Sequence, residues 1–392
     1  MTNKMIHTPE GVRDIYGDEL TRKNYIRTCL HQKISSYGYL DIETPTFEYF
    51  DTYNDVGTTP SKELYKFFDK EGNILALRSD FTPSIARCCT KYFLEDSMPV
   101  RLCYQGNSFS NNSDLQGKLK ETTEIGVELI DNDGLADYDA EVICLSIELL
   151  QASGLKDFQI TIGQIDYFKA LCDEMNLNDE DFETLRSYIS LKNYFGAQEF
   201  LESLGVNEAA MNSILDVSSL TTIDDIKNYK SKITNDRAKA AITRLEEINE
   251  IIRLRGYEKY ISYDLSLINK FHYYTGVIFR AYTYGVGDAV IKGGRYDNLL
   301  GKFGKNSKAI GFSVLIDDLL TALKTQGIST GIKKKEAYVV YNTDNREKAL
   351  AEITKLRSEG VSVTSFVIKG NDAKEYQEYA AKMLVDDIKI FV

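Results

Sequence analysis

Glu124, Gly126 and Glu128 stand at alternate positions in residues 123–130, and the residues between them, Ile125 and Val127, are apolar, as is Leu129 beyond. In an extended strand alternate side chains share a face, so the two carboxylates project together with an apolar layer behind them. Two carboxylates flanking a glycine suit a small cationic ligand lying against a sheet. The same pattern also describes a solvated strand face with surface ion pairs. A second stretch, Tyr263 to Asp297, places Tyr273 and Tyr274 before a glycine-punctuated return that ends in Lys292-Gly293-Gly294-Arg295-Tyr296-Asp297. Tyrosine and β-branched residues favour strands, and paired glycines let a ligand or another backbone come close. Together they suggest a pocket with aromatic walls and few polar groups, or a plain hairpin with exposed tyrosines. Arg295 either meets the ligand or braces the Gly-Gly turn, and Asp80 suits a charge at a helix start.

These residues need a scaffold, and periodicity supplies one. Residues 19 to 37 put Leu20, Ile26, Leu30, Ile34 and Tyr37 on one helical face, ending at the C-cap candidate Gly38. A strand is expected at Tyr39 to Glu43, stopped by Pro45. Two strands flank the turn Asp69 to Asn73, and Ser79-Asp80-Phe81-Thr82-Pro83 reads as a helix start. Strands at Val100 to Tyr104 and Thr123 to Ile130 are separated by a polar loop, and a helix runs from Tyr138 to Ala152. Residues 165 to 260 are helical by pattern; the clearest stripe is Ala238, Ala241, Ile242, Leu245, Ile248 and Ile252. Strands resume at Ile261, with one expected over Tyr263 to Leu267 and the next through Tyr273, Tyr274, Val277 and Phe279. Ala309 to Leu323 reads as strand then helix. After the basic linker Gly331 to Lys335, strands and helices alternate as a small βαβαβ unit with a parallel sheet.

The chain has 392 residues, so two or three domains are expected. Hydrophobic residues make up 43% and charged residues 27%, ordinary for a soluble protein. No segment approaches the roughly 20 apolar residues of a membrane span, and Met1 to Glu10 lacks a signal-peptide core; the protein reads as cytoplasmic. Six cysteines form no C-x-x-C pair and three histidines are widely spread, so neither disulfides nor a metal site is expected. The net charge of −12 disfavours nucleic acid, whose binding requires a local basic stripe.

The stretch Ser266-Leu267-Ile268-Asn269-Lys270-Phe271-His272-Tyr273-Tyr274-Thr275-Gly276, followed by Gly293 to Asp297, resembles the signature region of histidyl-tRNA synthetases. Tyr39 to Pro45 resembles class II motif 1, Leu77 to Thr82 the segment holding the amino acid's amino group, and Cys103 to Ser110 motif 2. Glu124 to Glu128 resembles the strand that reads imidazole, and Ala309 to Ser313 the start of motif 3. The resemblance implies an α+β fold: a class II aminoacyl-tRNA synthetase-like antiparallel sheet flanked by helices, in residues 1–164 and 261–330. A helical insertion at 165–260 and a truncated anticodon-binding-like unit at 331–392 complete it. It implies a histidine pocket of Asp80, Thr82, Glu124, Glu128, Tyr273, Tyr274 and Tyr296, with Gln105 and Arg295 in support. Pro45 falls at a dimer interface.

The departures from that family point away from catalysis. Forming an aminoacyl-adenylate requires fixed guanidinium groups around the α-phosphate. Ser110, Asn269 and Asp318 stand where the family has arginine. The family also usually has glutamine where Glu124 sits, and a second carboxylate there favours protonated imidazole. A kept ligand pocket with lost phosphate ligands resembles the synthetase-like regulatory subunits of ATP phosphoribosyltransferase. That resemblance implies no catalytic residue, no cofactor, and a role in histidine feedback. It also implies a short catalytic subunit as partner and a homodimer inside a hetero-oligomer, a hetero-octamer in form. The competing readings are a divergent synthetase using Lys118, Lys120 or Arg295 as its cations, and a tRNA-sensing pseudo-synthetase.

Overall fold

The computed structural model describes residues 6–57, 59–93, 98–111, 119–268, 273–330, 336–383 and 385–392. These fall into two compact units, one up to residue 330 and one after it.

In the first unit, helix α1 (Gly17–Ser35) leads to the short strand β1 (Leu40–Asp41). Ile26, Leu30 and Ile34 are fully buried, whereas Leu20 is 40% exposed and Tyr37 half-buried, so the stripe is narrower than its periodicity suggests. Next come β2 (Phe47–Tyr49), the single turn α2 (Asp51–Asn54), β3 (Lys66–Phe68) and β4 (Ile74–Leu77), then α3 (Thr82–Tyr92). Strands β2, β4 and β3 form a small sheet of their own. The long antiparallel pair β5 (Val100–Phe109) and β6 (Glu121–Asp131) precedes α4 (Ala136–Ala152) and β7 (Phe158–Gln164).

Six helices follow: α5 (Ile165–Glu174), α6 (Asp179–Ser190), α7 (Tyr194–Ser203), α8 (Glu208–Leu215), α9 (Ile223–Lys230) and α10 (Asp236–Leu254). Asparagine or threonine side chains cap α6, α7, α8, α9 and α10, the residue types that satisfy free N–H groups at helix starts. The apolar stripe of α10 is buried, and its Leu245 and Ile248 share one core with Leu145 of α4 and Ile160 of β7. The unit closes with β8 (Ile261–Tyr263), β9 (Val277–Thr283), β10 (Ile291–Arg295), β11 (Lys308–Leu315) and α11 (Ile316–Thr325).

The main sheet has eight strands in the order β1-β5-β6-β11-β10-β9-β7-β8, antiparallel except at its two edges. Three expectations change here. Strands β5 and β6 run on to Phe109 and back to Glu121 because polar pairs continue the ladder. Ser108 Oγ lies 2.9 Å from Thr122 Oγ1, and Thr123 Oγ1 donates to Asn107 Oδ1 at 2.8 Å. The expected strand Tyr263 to Leu267 ends at Tyr263. There Asp264 turns the chain by accepting from the Ser266 N–H (2.9 Å), and its carbonyl accepts from Leu267. Strands β8 and β9 are not a hairpin, because β7 lies between them and pairs with both. Tyr273 and Tyr274 therefore precede the strand rather than lie in it.

The second unit holds β12 (Glu336–Asn342), α12 (Arg346–Ser358), β13 (Ser362–Ile368), α13 (Lys374–Lys382) and β14 (Asp387–Phe391). Its sheet is parallel, in the order β13-β12-β14.

Candidate functional site

Register fixes what stands on the open face of the main sheet. Across β6 and β11, Glu128 faces Gly311, Gly126 faces Ser313 and Glu124 faces Leu315. Across β5 and β6, Tyr104 faces Gly126, and across β10 and β11, Lys292 faces Ser313. Side chains opposite one another in a ladder share a face, so these residues line one surface. The glycines leave space that the carboxylate and rings occupy. A Cβ on Gly311 would sit 1.8 Å from Glu128 Oε2, and one on Gly294 would sit 2.7 Å from the Tyr274 ring.

Over this surface lies a cavity of about 200 Å³ lined by Asp80, Thr82, Tyr104, Glu124, Glu128, Tyr273, Tyr274, Lys292, Tyr296 and Ser313, among others. That is smaller than the roughly 300–1,000 Å³ of sites for drug-sized ligands. All seven residues expected to form the histidine pocket line it. Glu128 is 1% exposed, so the alternative of a solvated carboxylate face does not describe it. Its Oε1 accepts from Thr82 Oγ1 at 2.6 Å and its Oε2 from the Tyr296 hydroxyl. Burial pushes the Glu128 carboxyl up to about 8, against the pull of those two donors. Glu124 is held at both oxygens, by the hydroxyls of Ser108 and Ser313, and burial raises it too. Asp80, at the start of α3, accepts from the Thr82 N–H (3.0 Å) and from the Tyr273 hydroxyl (3.4 Å); burial again raises its carboxyl.

The aromatic wall is set by backbone contacts from several elements. Thr275 N–H donates to the Arg295 carbonyl at 2.8 Å, and Lys169 Nζ of α5 donates to the Tyr274 carbonyl at 2.8 Å. The rings of Tyr273 and Tyr274 are 4.5 Å apart, and Tyr296 meets Tyr273 edge-on at 6.0 Å. Tyr104 stacks on Phe81 at 4.4 Å, and the Arg78 guanidinium lies over the Phe81 ring at 4.1 Å.

Gln105 does not join the site. Its neighbours Tyr104 and Gly106 face the pocket side of β5, so alternation turns Gln105 to the other side, where it is exposed and accepts from Arg27 at 3.1 Å. Arg295 is a brace. It is buried, it donates to Asp139 and Asp297 at 2.9 Å each, and Asp139 also accepts from Arg244 of α10 at 2.8 Å. Ser110 N–H donates to the Lys120 carbonyl, and Asp318 lies in the first turn of α11. Asn269, Lys118 and His272 lie outside the described residues. Pro45 is exposed, next to β2. Ser313, Tyr104 and Lys292, which line the pocket, and Ser108, which holds Glu124, were not foreseen; period-2 alternation carried along all four strands points to each of them.

Among the described residues one group with metal-ligand atoms comes together, His31, Asp41 and Cys103, within 4.8 Å. Burial pushes the Cys103 thiol up to about 12, so it is protonated at neutral pH and ill suited to ligation. His31 Nε2 and Asp41 Oδ1 pair at 2.7 Å. No helix of the described residues is long and apolar enough to cross a membrane.

An antiparallel sheet carrying a carboxylate-and-tyrosine pocket defines a class II synthetase-like core, and residues 11–319 match the family model for histidyl-tRNA synthetase. A crystal structure described as an ATP phosphoribosyltransferase regulatory subunit/histidyl-tRNA synthetase from Bacillus halodurans superposes with a TM-score of 0.88. It shares 31% identity and covers 99% of this chain and 98% of that one. ATP phosphoribosyltransferase regulatory subunits of Ruminiclostridium cellulolyticum and Clostridium kluyveri are 35% and 36% identical. They cover 99% and 100% of this chain and 93% and 100% of their own lengths. The chain belongs to the family of ATP phosphoribosyltransferase regulatory subunits, within that histidyl-tRNA synthetase-like class.

Proposed function

We propose that this chain is a non-catalytic, histidine-binding subunit required for the activity of a short catalytic subunit of ATP phosphoribosyltransferase. Histidine in its pocket lowers that activity, giving feedback on the first step of histidine biosynthesis in the cytoplasm. One contrast carries the reading: three carboxylates and four tyrosines line a pocket, while Ser110, Asn269 and Asp318 stand at sequence positions where a synthetase has arginine. An adenylating site must hold donors where charge develops on the phosphate, and losing one such donor costs about 3 kcal/mol. A carboxylate at position 318 repels phosphate rather than binding it. Feedback needs only a modest coupling, typically about 1–3 kcal/mol between sites.

The small sheet supports self-association. Phe47 and Tyr49 are 51% and 61% exposed beside Pro45, and the Phe47 and Phe67 rings meet edge-on at 5.7 Å on the same face. An apolar patch of this kind marks an interface, here the homodimer expected within a larger hetero-oligomer.

Mixing the purified chain with a short catalytic subunit is expected to raise phosphoribosyl transfer at least tenfold. Added histidine then lowers it, and light scattering shows even numbers of this chain in the complex. A mixture as inactive as the separated chains overturns the proposal.

A further inference from the structure

The polar lining of the pocket is lopsided. Asp80, Glu124 and Glu128 bring six carboxylate oxygens; those of Glu124 and Glu128 each accept from one fixed donor, and Asp80 is held by donors at the start of α3. Thr82 N–H and the Tyr273 hydroxyl hold Asp80, the Ser108 and Ser313 hydroxyls hold Glu124, and the Thr82 and Tyr296 hydroxyls hold Glu128. A hydroxyl proton donated to a carboxylate is not free for an anionic ligand group, whereas the oxygens of Glu124 and Glu128 each keep a second lone pair for a ligand cation. Among the described residues the pocket is rich in acceptors aimed by their donors, and Lys292 is the basic residue of its lining. It sits at the rim with its side chain 36% exposed, and its Nζ is shared with Asp288 at 2.9 Å. Arg295, next to Tyr296 in sequence, is turned into the core and ion-paired there, so its guanidinium does not reach the cavity.

Resting on the reading of this pocket as a histidine site, we infer that it recognises the ammonium and imidazole ends of its ligand and not the carboxylate, so that imidazole-bearing amines lacking a carboxylate occupy it at least as well as histidine. Glu124 sets this preference. It lines the cavity together with Asp80 and Lys292, and when ionised it opposes any ligand carboxylate placed near it. With glutamine at this position the pocket would carry one negative charge fewer while keeping an acceptor for Ser108 or Ser313.

Calorimetry with three probes tests the inference: L-histidine, histamine (no carboxylate) and imidazolepropionate (no amine). In the wild-type chain histamine is expected to bind within about threefold of histidine or tighter, and imidazolepropionate at least about 100-fold weaker. Glu124→Gln should shift the histamine-to-histidine preference toward histidine by about tenfold, roughly 1.4 kcal/mol. Lys292→Met, which removes the cation of the described lining, should leave the histamine-to-histidine preference within about threefold. Histidine binding with histamine more than tenfold weaker overturns the inference while leaving the histidine pocket standing; so does a loss of 30-fold or more for histidine, with histamine unchanged, in Lys292→Met. Failure of both histidine and histamine to bind overturns the pocket reading together with the inference.

Discussion

Replacing Glu128 by alanine is expected to weaken histidine binding by about 100- to 1,000-fold. The carboxylate lines the pocket and is 1% exposed, with Thr82 and Tyr296 fixing its two oxygens. A bound imidazolium makes a buried charge pair with it, and deleting one member of such a pair costs on the order of 3–4 kcal/mol. Glu128→Gln keeps the shape and an acceptor but not the charge, so it should lose less and lose the pH dependence of binding. The same carboxyl predicts how the empty protein responds to pH. Its folded value, about 8, lies above its ordinary 4.5, so the folded state holds the proton more tightly than the unfolded one. The stability it contributes is complete below about pH 4.5 and is lost as pH rises through about 8. Without ligand, the melting temperature should therefore fall between about pH 5 and 8.5, and the slope should flatten in Glu128→Gln. Unchanged histidine affinity in Glu128→Ala would place the ligand elsewhere.

Arg295→Met is expected to cost about 3–5 kcal/mol of stability, the usual price of leaving a buried carboxylate without its partner. Asp139 is wholly buried and takes one guanidinium from β10 and another from α10. Removing Arg295 leaves it with Arg244 alone, beside Asp131, whose nearest approach to Arg295 is already 3.8 Å. The melting temperature of the larger unit should drop by about 5–15 °C. Arg295→Lys should rescue little, since an ammonium cannot fork to Asp139 and Asp297 together. At a temperature where the variant is folded, histidine affinity should stay within about threefold of the wild type. A melting temperature within about 2 °C of wild type, or a large loss of affinity in the folded variant, would make Arg295 a ligand group instead of a brace.

The pocket was legible because its chemistry is local. Glu124 and Glu128 share a face by strand alternation alone, and Asp80 and Thr82 sit together at a helix start that proline announces. The same alternation, carried four residues past Tyr104, reaches Ser108 and excludes Gln105. Taking β5 to end at Tyr104 hid both facts, since the polar side chains of its outer half look like a loop until their cross-strand partners are seen. The brace was out of reach for a different reason. Arg295, Asp139 and Arg244 are joined by topology over more than a hundred residues, and no periodicity links them. Strand order failed for the same cause: β8 and β9 are neighbours in sequence, yet β7, which precedes six helices, lies between them in the sheet.

A site with the proposed role holds an amino acid without activating it. The most direct measurement follows ATP–pyrophosphate exchange in the same purified sample in which histidine binding is measured by calorimetry. Histidine should bind, and exchange should stay at the level of a sample without protein. Exchange that rises with histidine would contradict the account, because it would require cations steadying the phosphate that Ser110, Asn269 and Asp318 do not supply.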